Sequence, residues 1–83
     1  MNDADAICFP RCRAIHMLFM RFPIDALFID REGRVVKIYT ELKPWRFAAS
    51  WSASKVLELP AGRASHYGLK RGAYVQIDFT NCV

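Results

Sequence analysis

Apolar and polar residues along the chain follow the pattern of short strands rather than of long helices. Residues 14–20 form an apolar run that is too short for a typical helix. Through the middle of residues 24–30, the residues that would face either side of a strand are apolar. The second pattern is expected of a central strand that is covered on both faces. The turn Asp-Arg-Glu-Gly at 30–33 then precedes a β-branched and aromatic run at 34–42. We therefore predict a β-hairpin closed by this turn.

The second half of the chain continues the mainly β pattern. Residues 43–53 have no clean period and are predicted to be a loop, although both tryptophans lie within it. A short strand is predicted at 55–59, and 61–68 fits one or two helical turns stopped by Gly68. Alternation over 73–80 predicts a final strand with one face in water. The sequence thus predicts a small antiparallel β-sandwich or barrel-like domain with one short helix near residues 61–68.

Length and composition fit one domain over residues 1–83. The chain has 83 residues, of which 53% are hydrophobic and 24% charged, whereas a disordered chain would be less apolar and more highly charged. No apolar run is long enough for a membrane-spanning helix, so no membrane association is expected. The net charge is +4, but the basic residues are scattered along the sequence, and nucleic-acid binders usually concentrate them on one face. Nucleic acid is therefore not the expected partner.

The cysteine content predicts a reducing environment. The chain has three cysteines, and an odd count argues against a closed disulfide framework. The N-terminal sequence Met-Asn-Asp-Ala-Asp-Ala carries two acids where an export signal would carry basic residues. We therefore predict a cytoplasmic location.

Two segments point to a family. They are Met-Arg-Phe-Pro-Ile-Asp at 20–25 and Leu-Glu-Leu-Pro-Ala-Gly at 57–62, and Lys-Pro-Trp-Arg at 43–46 and Gly-Leu-Lys-Arg-Gly at 68–72 accompany them. Their order and spacing resemble the bacterial and archaeal family called domain of unknown function 192, or uncharacterised protein family 0127, over about residues 11–77. The resemblance implies a β-rich, sandwich-like fold with a short helix before the last strand. It implies no chemistry, because the family has no established activity.

The chain departs from the family pattern in two places. Relatives have a longer, Gly- and Leu-rich segment before the position of Cys12, where this chain has eleven residues. A missing edge strand would expose unpaired backbone groups, so we expect either a monomer or a homodimer formed through that edge. The closing turn of relatives has an aspartate after its second glycine, and here Ala73 follows Gly72.

A first candidate site consists of Cys8, Cys12 and His16. Their four-residue spacing would align them on a helix, but on an extended strand Cys12 and His16 would lie about 13 Å apart, too far to share one zinc ion. Two cysteines and one histidine are also one ligand short, and Cys82 is the available fourth. We interpret these cysteines as ordinary buried or half-buried thiols and predict no metal and no cofactor.

A second candidate is a nucleophilic Cys12 with His16 or His66 as its base. Arg11 and Arg13 flank Cys12 and would favour its thiolate form. No thiol-hydrolase signature surrounds Cys12, however, and no oxyanion-hole motif is evident. A thiol- or metal-dependent enzyme centred on Cys12 and His16 is therefore the alternative hypothesis, and weak nucleic-acid binding through the scattered arginines is the second alternative.

A third candidate is a polar and aromatic set. Asp25 sits in an apolar strand, where an unpaired carboxylate would be unfavourable, and Arg21 is a plausible partner for a structural pair. The same residues could instead form a pocket for a small anionic or sugar-like molecule, beneath aromatic residues of the 43–53 loop. The leading hypothesis is a non-catalytic module that binds a small molecule or a protein through four residues, namely Arg21, Asp25, Trp45 and Arg46.

Overall fold

The computed structural model of the chain describes residues 7–16, 22–43 and 46–75. Within these segments it contains six strands and one short helix. They are β1 (Ile7–Pro10), β2 (Ala14–His16), β3 (Ile24–Ile29), β4 (Val35–Leu42), β5 (Phe47–Ala49), β6 (Lys55–Pro60) and α1 (Arg63–His66).

Four strands form an antiparallel sheet in the order β1-β6-β3-β4. All six residues of β3 are buried, and β6 pairs with β3 from Ile24 opposite Pro60 to Ile29 opposite Lys55. The continuous apolar run of β3 thus belongs to a central strand covered on both faces, as predicted. The other side of β6 pairs with β1 along four residues, from Ile7 opposite Glu58 to Pro10 opposite Lys55, so that β1 and β4 are the edge strands of this sheet.

The two faces of this sheet carry separate apolar clusters. On one face Leu27, Leu57 and Leu59 pack with Ala64 of α1 and with the segment that follows the helix. On the other face Phe28 and Val56 pack with residues of β5 and of the loop after it. Strands β2 and β5 form a separate two-stranded antiparallel sheet over that second face. The predicted mainly β, sandwich-like fold with one short helix is therefore confirmed.

The predicted hairpin at 30–33 joins β3 to β4. The carboxylate Oδ1 of Asp30 accepts hydrogen bonds from the backbone N–H groups of Glu32 (2.9 Å) and Arg34 (3.0 Å). Gly33 has φ = 87°, and a Cβ atom at this position would lie 2.9 Å from the carbonyl oxygen of Val75. Glycine is therefore required for both the left-handed backbone and the close approach of the chain after α1.

Some elements differ from the sequence-based prediction. β1 was not predicted, and β5 forms inside the segment that was predicted to be a loop. The described part of the 14–20 run is strand at 14–16, and residues 17–20 lie outside the described residues. Most of the final strand predicted at 73–80 also lies outside them, although Tyr74 forms an isolated bridge with Arg34.

Asp25 is the buried charged residue around which three elements meet. Its relative exposure is 1%, and β4 bulges opposite it, since the pairing steps from Ile24 opposite Leu42 to Ala26 opposite Tyr39 and so sets two residues of β4 against one of β3. Within the bulge Glu41 adopts a left-handed backbone (φ = 53°), and its N–H donates to Asp25 Oδ1 at 2.9 Å.

The other carboxylate oxygen of Asp25 caps the helix. The N–H groups of Gly62 and Ala64, at the start of α1, each donate to Oδ2 at 3.0 Å. A buried carboxylate that accepts three N–H donors is well satisfied without a cationic partner. The partner predicted from the sequence, Arg21, lies outside the described residues.

Cys8 corrects the prediction made from the cysteine count. It is buried on the face that packs against α1, and it is disulfide-bonded. Cys12 is free and half-buried, and Cys82 lies outside the described residues. The interpretation of Cys8 as an ordinary thiol was therefore wrong, whereas Cys12 is a half-buried thiol as predicted.

We predict that Asp25→Asn destabilises the fold by about 3 kcal/mol or more. The asparagine amide would turn its own N–H groups towards backbone N–H donors and would leave at least one of them unpaired in the interior. The measurement is the midpoint of chemical denaturation at an unchanged slope. Asp30→Asn is the matched control, because it changes the same group in the exposed hairpin. Equal losses in the two variants would contradict the role given to Asp25.

We also predict that the denatured, unreduced chain exposes one alkylatable thiol and that the reduced chain exposes all three. Mass spectrometry after alkylation counts them. The Cys12→Ser variant should react at no site before reduction. Three reactive thiols in the unreduced wild type would show that Cys8 is not oxidised.

Candidate ligand-binding groove

The surface predicted from the sequence is not assembled by the described residues. Arg21 and Trp45 lie outside them, and Asp25 is buried with both carboxylate oxygens occupied by backbone N–H groups. Arg46 is exposed, just before β5. Asp25 and Arg46 lie at the starts of β3 and β5, away from the strand ends where the groove described below is formed.

The cysteine and histidine candidates are also separated from one another. Within residues 7–16, 22–43 and 46–75 no group of three or more His, Cys, Asp or Glu residues could hold a metal ion. Cys8 is oxidised and so offers no thiolate. The thiol of Cys12 donates a hydrogen bond to the carbonyl oxygen of Ala14 at 3.0 Å. His66 belongs to α1, on the opposite face of the main sheet from the cluster that Cys12 contacts.

Three connections meet at one end of the sandwich and form a groove. They are the turn between β1 and β2, the β3–β4 hairpin, and the loop between β5 and β6. The first two connections follow β1 and β3, which lie on either side of β6 and run antiparallel to it, and the third leads into the start of β6. All three therefore lie at the same end of the main sheet. The groove has a volume of about 920 Å³, and it is lined by Arg11, Arg13, Ala14, Asp30, Arg31, Glu32, Trp51, Ser52, Ala53 and Ser54.

Backbone hydrogen bonds hold the three connections together. The N–H of Ser54 donates to the carbonyl of Ile29 at 2.8 Å, and the N–H of Ser50 donates to the carbonyl of Arg13 at 2.9 Å. The N–H of Cys12 in turn donates to the carbonyl of Ser54 at 3.1 Å. Hydrogen bonds within the chain thus join the loop that carries Trp51 to the other two connections.

Arginines and one tryptophan dominate the chemistry of the groove. Arg11, Arg13 and Arg31 are exposed, and the side chain of Trp51 is 73% exposed. A planar guanidinium group forms paired hydrogen bonds with carboxylate or phosphate groups, and an exposed indole offers a flat face for stacking. The lining therefore suits a ligand that has an anionic group and a flat, partly apolar part.

The backbone at Arg11 is unusual. Its φ is 55°, a left-handed conformation that few residues other than glycine adopt. A glycine would form this turn without strain, yet the chain carries a long cationic side chain here, and that side chain lines the groove. Backbone strain of this kind is concentrated at functional sites.

The acidic residue Asp30 is largely occupied by its own loop. The hydrogen bond from the N–H of Arg34 is the main cause that holds the pKa of Asp30 below its ordinary value, and the N–H of Glu32 and the guanidinium of Arg34 act in the same direction. The Nε of Arg34 lies 3.7 Å from Oδ2 of Asp30. The negative charge of Asp30 is therefore partly balanced within the hairpin, and the arginines of the groove remain available to an anion.

Glu58 has the other shifted carboxyl group among the described residues. It is half-buried in β6, and desolvation raises its pKa. Its neighbours in the sheet are Ile7 and Ala26. Because Glu58 lies away from the loop end of the sandwich, it does not contribute to the groove.

A second, smaller groove adjoins the first. Its volume is about 410 Å³, and it shares Asp30 and Ser52 with the larger one. Arg34 and Arg71 supply its cationic groups. The two grooves together gather five of the eight arginines of the chain, Arg11, Arg13, Arg31, Arg34 and Arg71.

This gathering was missed in the sequence, where the same arginines are scattered. The available signal was their position at strand ends, since Arg11 and Arg13 lie between β1 and β2, and Arg31 and Arg34 lie between β3 and β4. Trp51 belongs to the 43–53 loop whose aromatic residues were considered for a pocket over Asp25, and in the structure it lines the groove with Arg11 and Arg13. The sequence does not show which strands pair, and strand pairing decides which of these loops lie side by side.

Comparison with known proteins supports the fold and the family. The profile of the domain of unknown function 192 family, described as "Uncharacterized ACR", matches residues 1–77. No curated protein matches the chain. Two solved structures are similar. One is a protein of unknown function from Novosphingobium aromaticivorans DSM 12444, with a TM-score of 0.78 and 24% identity, which covers 93% of this chain and 60% of that chain.

The other is a protein from Sinorhizobium meliloti 1021 described as a proposed transcription regulator. It has a TM-score of 0.79 and 25% identity, and the match covers 92% of this chain and 64% of that one. This chain thus spans less than two thirds of either similar structure. The family profile, in contrast, covers nearly the whole of this chain, and its match agrees with the two sequence segments that suggested it. The chain belongs to the domain of unknown function 192 family.

Proposed function

We propose that this protein is a non-catalytic module that binds an anionic ligand in the larger groove. The observation that carries the proposal is the meeting of Arg11, Arg13 and Arg31 with the exposed Trp51 around a cleft of about 920 Å³. This volume lies near the upper end of the range for small-molecule sites, about 300–1,000 Å³. The groove replaces the surface predicted from the sequence, while the class of function stays the same.

The polar balance of the groove supports an anion rather than a cation. Three guanidinium groups face two carboxylates, and one of these, on Asp30, is bonded to its own hairpin. The loops are joined by backbone hydrogen bonds, so little ordering would accompany binding. A preformed cationic cleft of this kind is the common design of carboxylate and phosphate sites.

The alternative of a thiol- or metal-dependent enzyme centred on Cys12 and His16 has less support. The thiol of Cys12 is directed to the carbonyl of Ala14, and it is not among the residues that line the groove. His16 ends β2, at the far end of that strand from the groove. The groove therefore brings together binding groups, and it does not include the thiol on which that hypothesis depends.

Nucleic-acid binding is the second candidate, and one observation favours it more than the sequence did. The arginines are gathered at one end of the fold rather than scattered over it, as a nucleic-acid site requires. The similar protein from Sinorhizobium meliloti 1021 is described as a proposed transcription regulator. Such binding would weaken steeply with added salt.

The disulfide bears on where the module works. The cytoplasmic location predicted from the sequence depended partly on the odd cysteine count, and Cys8 is nonetheless disulfide-bonded. Disulfides persist in oxidising compartments and are rare in the cytosol. This bond therefore supports an oxidising compartment. Across the described segments no helix is long and apolar enough to cross a membrane.

We predict that inorganic phosphate and citrate each bind saturably and shift the backbone NMR signals of residues 11–14, 30–32 and 51–54. Arg13→Ala should weaken this binding about fivefold to tenfold, because one guanidinium partner of the anion is lost. Arg46→Ala is the matched control: it removes the same charge at the other end of β5 and should leave the affinity unchanged within about twofold. Equal effects of the two substitutions, or no saturable shift at the groove, would contradict the proposed function.

A further inference from the structure

The larger groove adjoins the second, smaller groove, which carries further arginines. The second groove continues from it across Asp30 and Ser52, and it brings Arg34 and Arg71 to the same end of the sandwich. Most of the lining side chains are exposed, so the two grooves form an open channel rather than an enclosed cavity. An open channel with cationic groups along its length fits a chain-like ligand better than a compact one.

We infer that the ligand is an acidic oligosaccharide, a short chain of uronic acid sugars that occupies both grooves. The inference rests on the proposed function, since it names the anionic ligand of the same site. One sugar carboxylate would lie among Arg11, Arg13 and Arg31, and another would reach Arg71 in the second groove. Arginine forks bind carboxylates in this way through pairs of N–H donors.

The remaining groups of the channel favour a carbohydrate. One face of a pyranose ring is rich in C–H bonds and is therefore apolar enough to stack on the exposed indole of Trp51. The sugar hydroxyl groups would find hydrogen-bond partners in Ser52 and in the exposed carboxylate of Glu32. The site thus offers a partner to each part of a uronic acid: the carboxylate, the ring face and the hydroxyls.

A nucleic acid fits the same channel less well. Each nucleotide carries a phosphate charge, and its backbone has few hydroxyl groups that could use the carboxylate of Glu32.

The test is calorimetric titration of the intact chain at low ionic strength with four probes, namely galacturonic acid, trigalacturonate, uncharged galactotriose and a thymidylate octamer. Trigalacturonate should bind at least about tenfold more tightly than the monomer, because it engages both grooves at once. Galactotriose should bind more weakly than trigalacturonate by a similar factor, because it lacks the carboxylates. The octamer should bind more weakly than trigalacturonate as well.

Variants locate the two parts of the ligand. Arg71→Ala should weaken trigalacturonate binding about fivefold and leave galacturonic acid unchanged within about twofold, whereas Arg13→Ala should weaken both. Trp51→Ala should weaken trigalacturonate binding, and Trp51→Phe should restore part of it, because phenylalanine keeps a flat aromatic face. Arg46→Ala should change neither affinity.

Each contrary result has its own meaning. Equal affinities for the monomer and the trimer, with no effect of Arg71→Ala, would overturn the two-groove ligand while leaving the proposed anion site intact. Tighter binding of the octamer or of galactotriose than of trigalacturonate would overturn the acidic carbohydrate. Binding of phosphate and citrate without binding of any sugar would overturn this inference alone, and binding of no anion at all would overturn the proposed function as well.

Discussion

The carboxylate of Asp25 is the interaction on which the arrangement of the fold depends. It lies in the central strand β3 opposite a bulge of β4, and it joins the left-handed residue Glu41 of that bulge to the start of α1 at Gly62 and Ala64. Three separate parts of the chain therefore meet on one side chain. This carboxylate can be buried because both of its oxygens accept hydrogen bonds from backbone N–H groups. Among the described residues no buried polar side-chain atom lacks a hydrogen-bond partner.

Fixing one end of the sheet leaves the other end free to carry function. Asp25 stands near the start of β3, and the groove forms beyond the end of the same strand, at Asp30. Strand β3, which is buried along its whole length, and its partner β6 run between the two ends. A fold that is held at one end can present loops of different composition at the other, which is why binding residues are so often found on loops above a rigid β framework.

Local features of this fold were accessible from the sequence, and its meeting points were not. The hairpin could be predicted because Asp30 and Gly33 are residue types that favour a tight turn, and β3 could be predicted because its sequence is a short apolar run. β5 has three residues and no pattern, and it exists because it pairs with β2 more than thirty residues earlier in the chain. The gathering of Arg11, Arg31 and Arg71 is likewise a product of strand pairing, and no local spacing encodes it.

Two structural features favour the binding of an anion in the groove. Its loops are joined backbone to backbone, so that the arginines stand on a fixed support, and Arg11 keeps a long cationic side chain at a left-handed position where glycine would be less strained. At the same time Asp30 directs its charge into its own hairpin and towards Arg34, which limits the repulsion that a carboxylate in the lining would otherwise exert. The hairpin that closes β3 and β4 thus serves the fold and the site together: the contacts that order the turn are the same contacts that leave the neighbouring guanidinium groups available to a ligand.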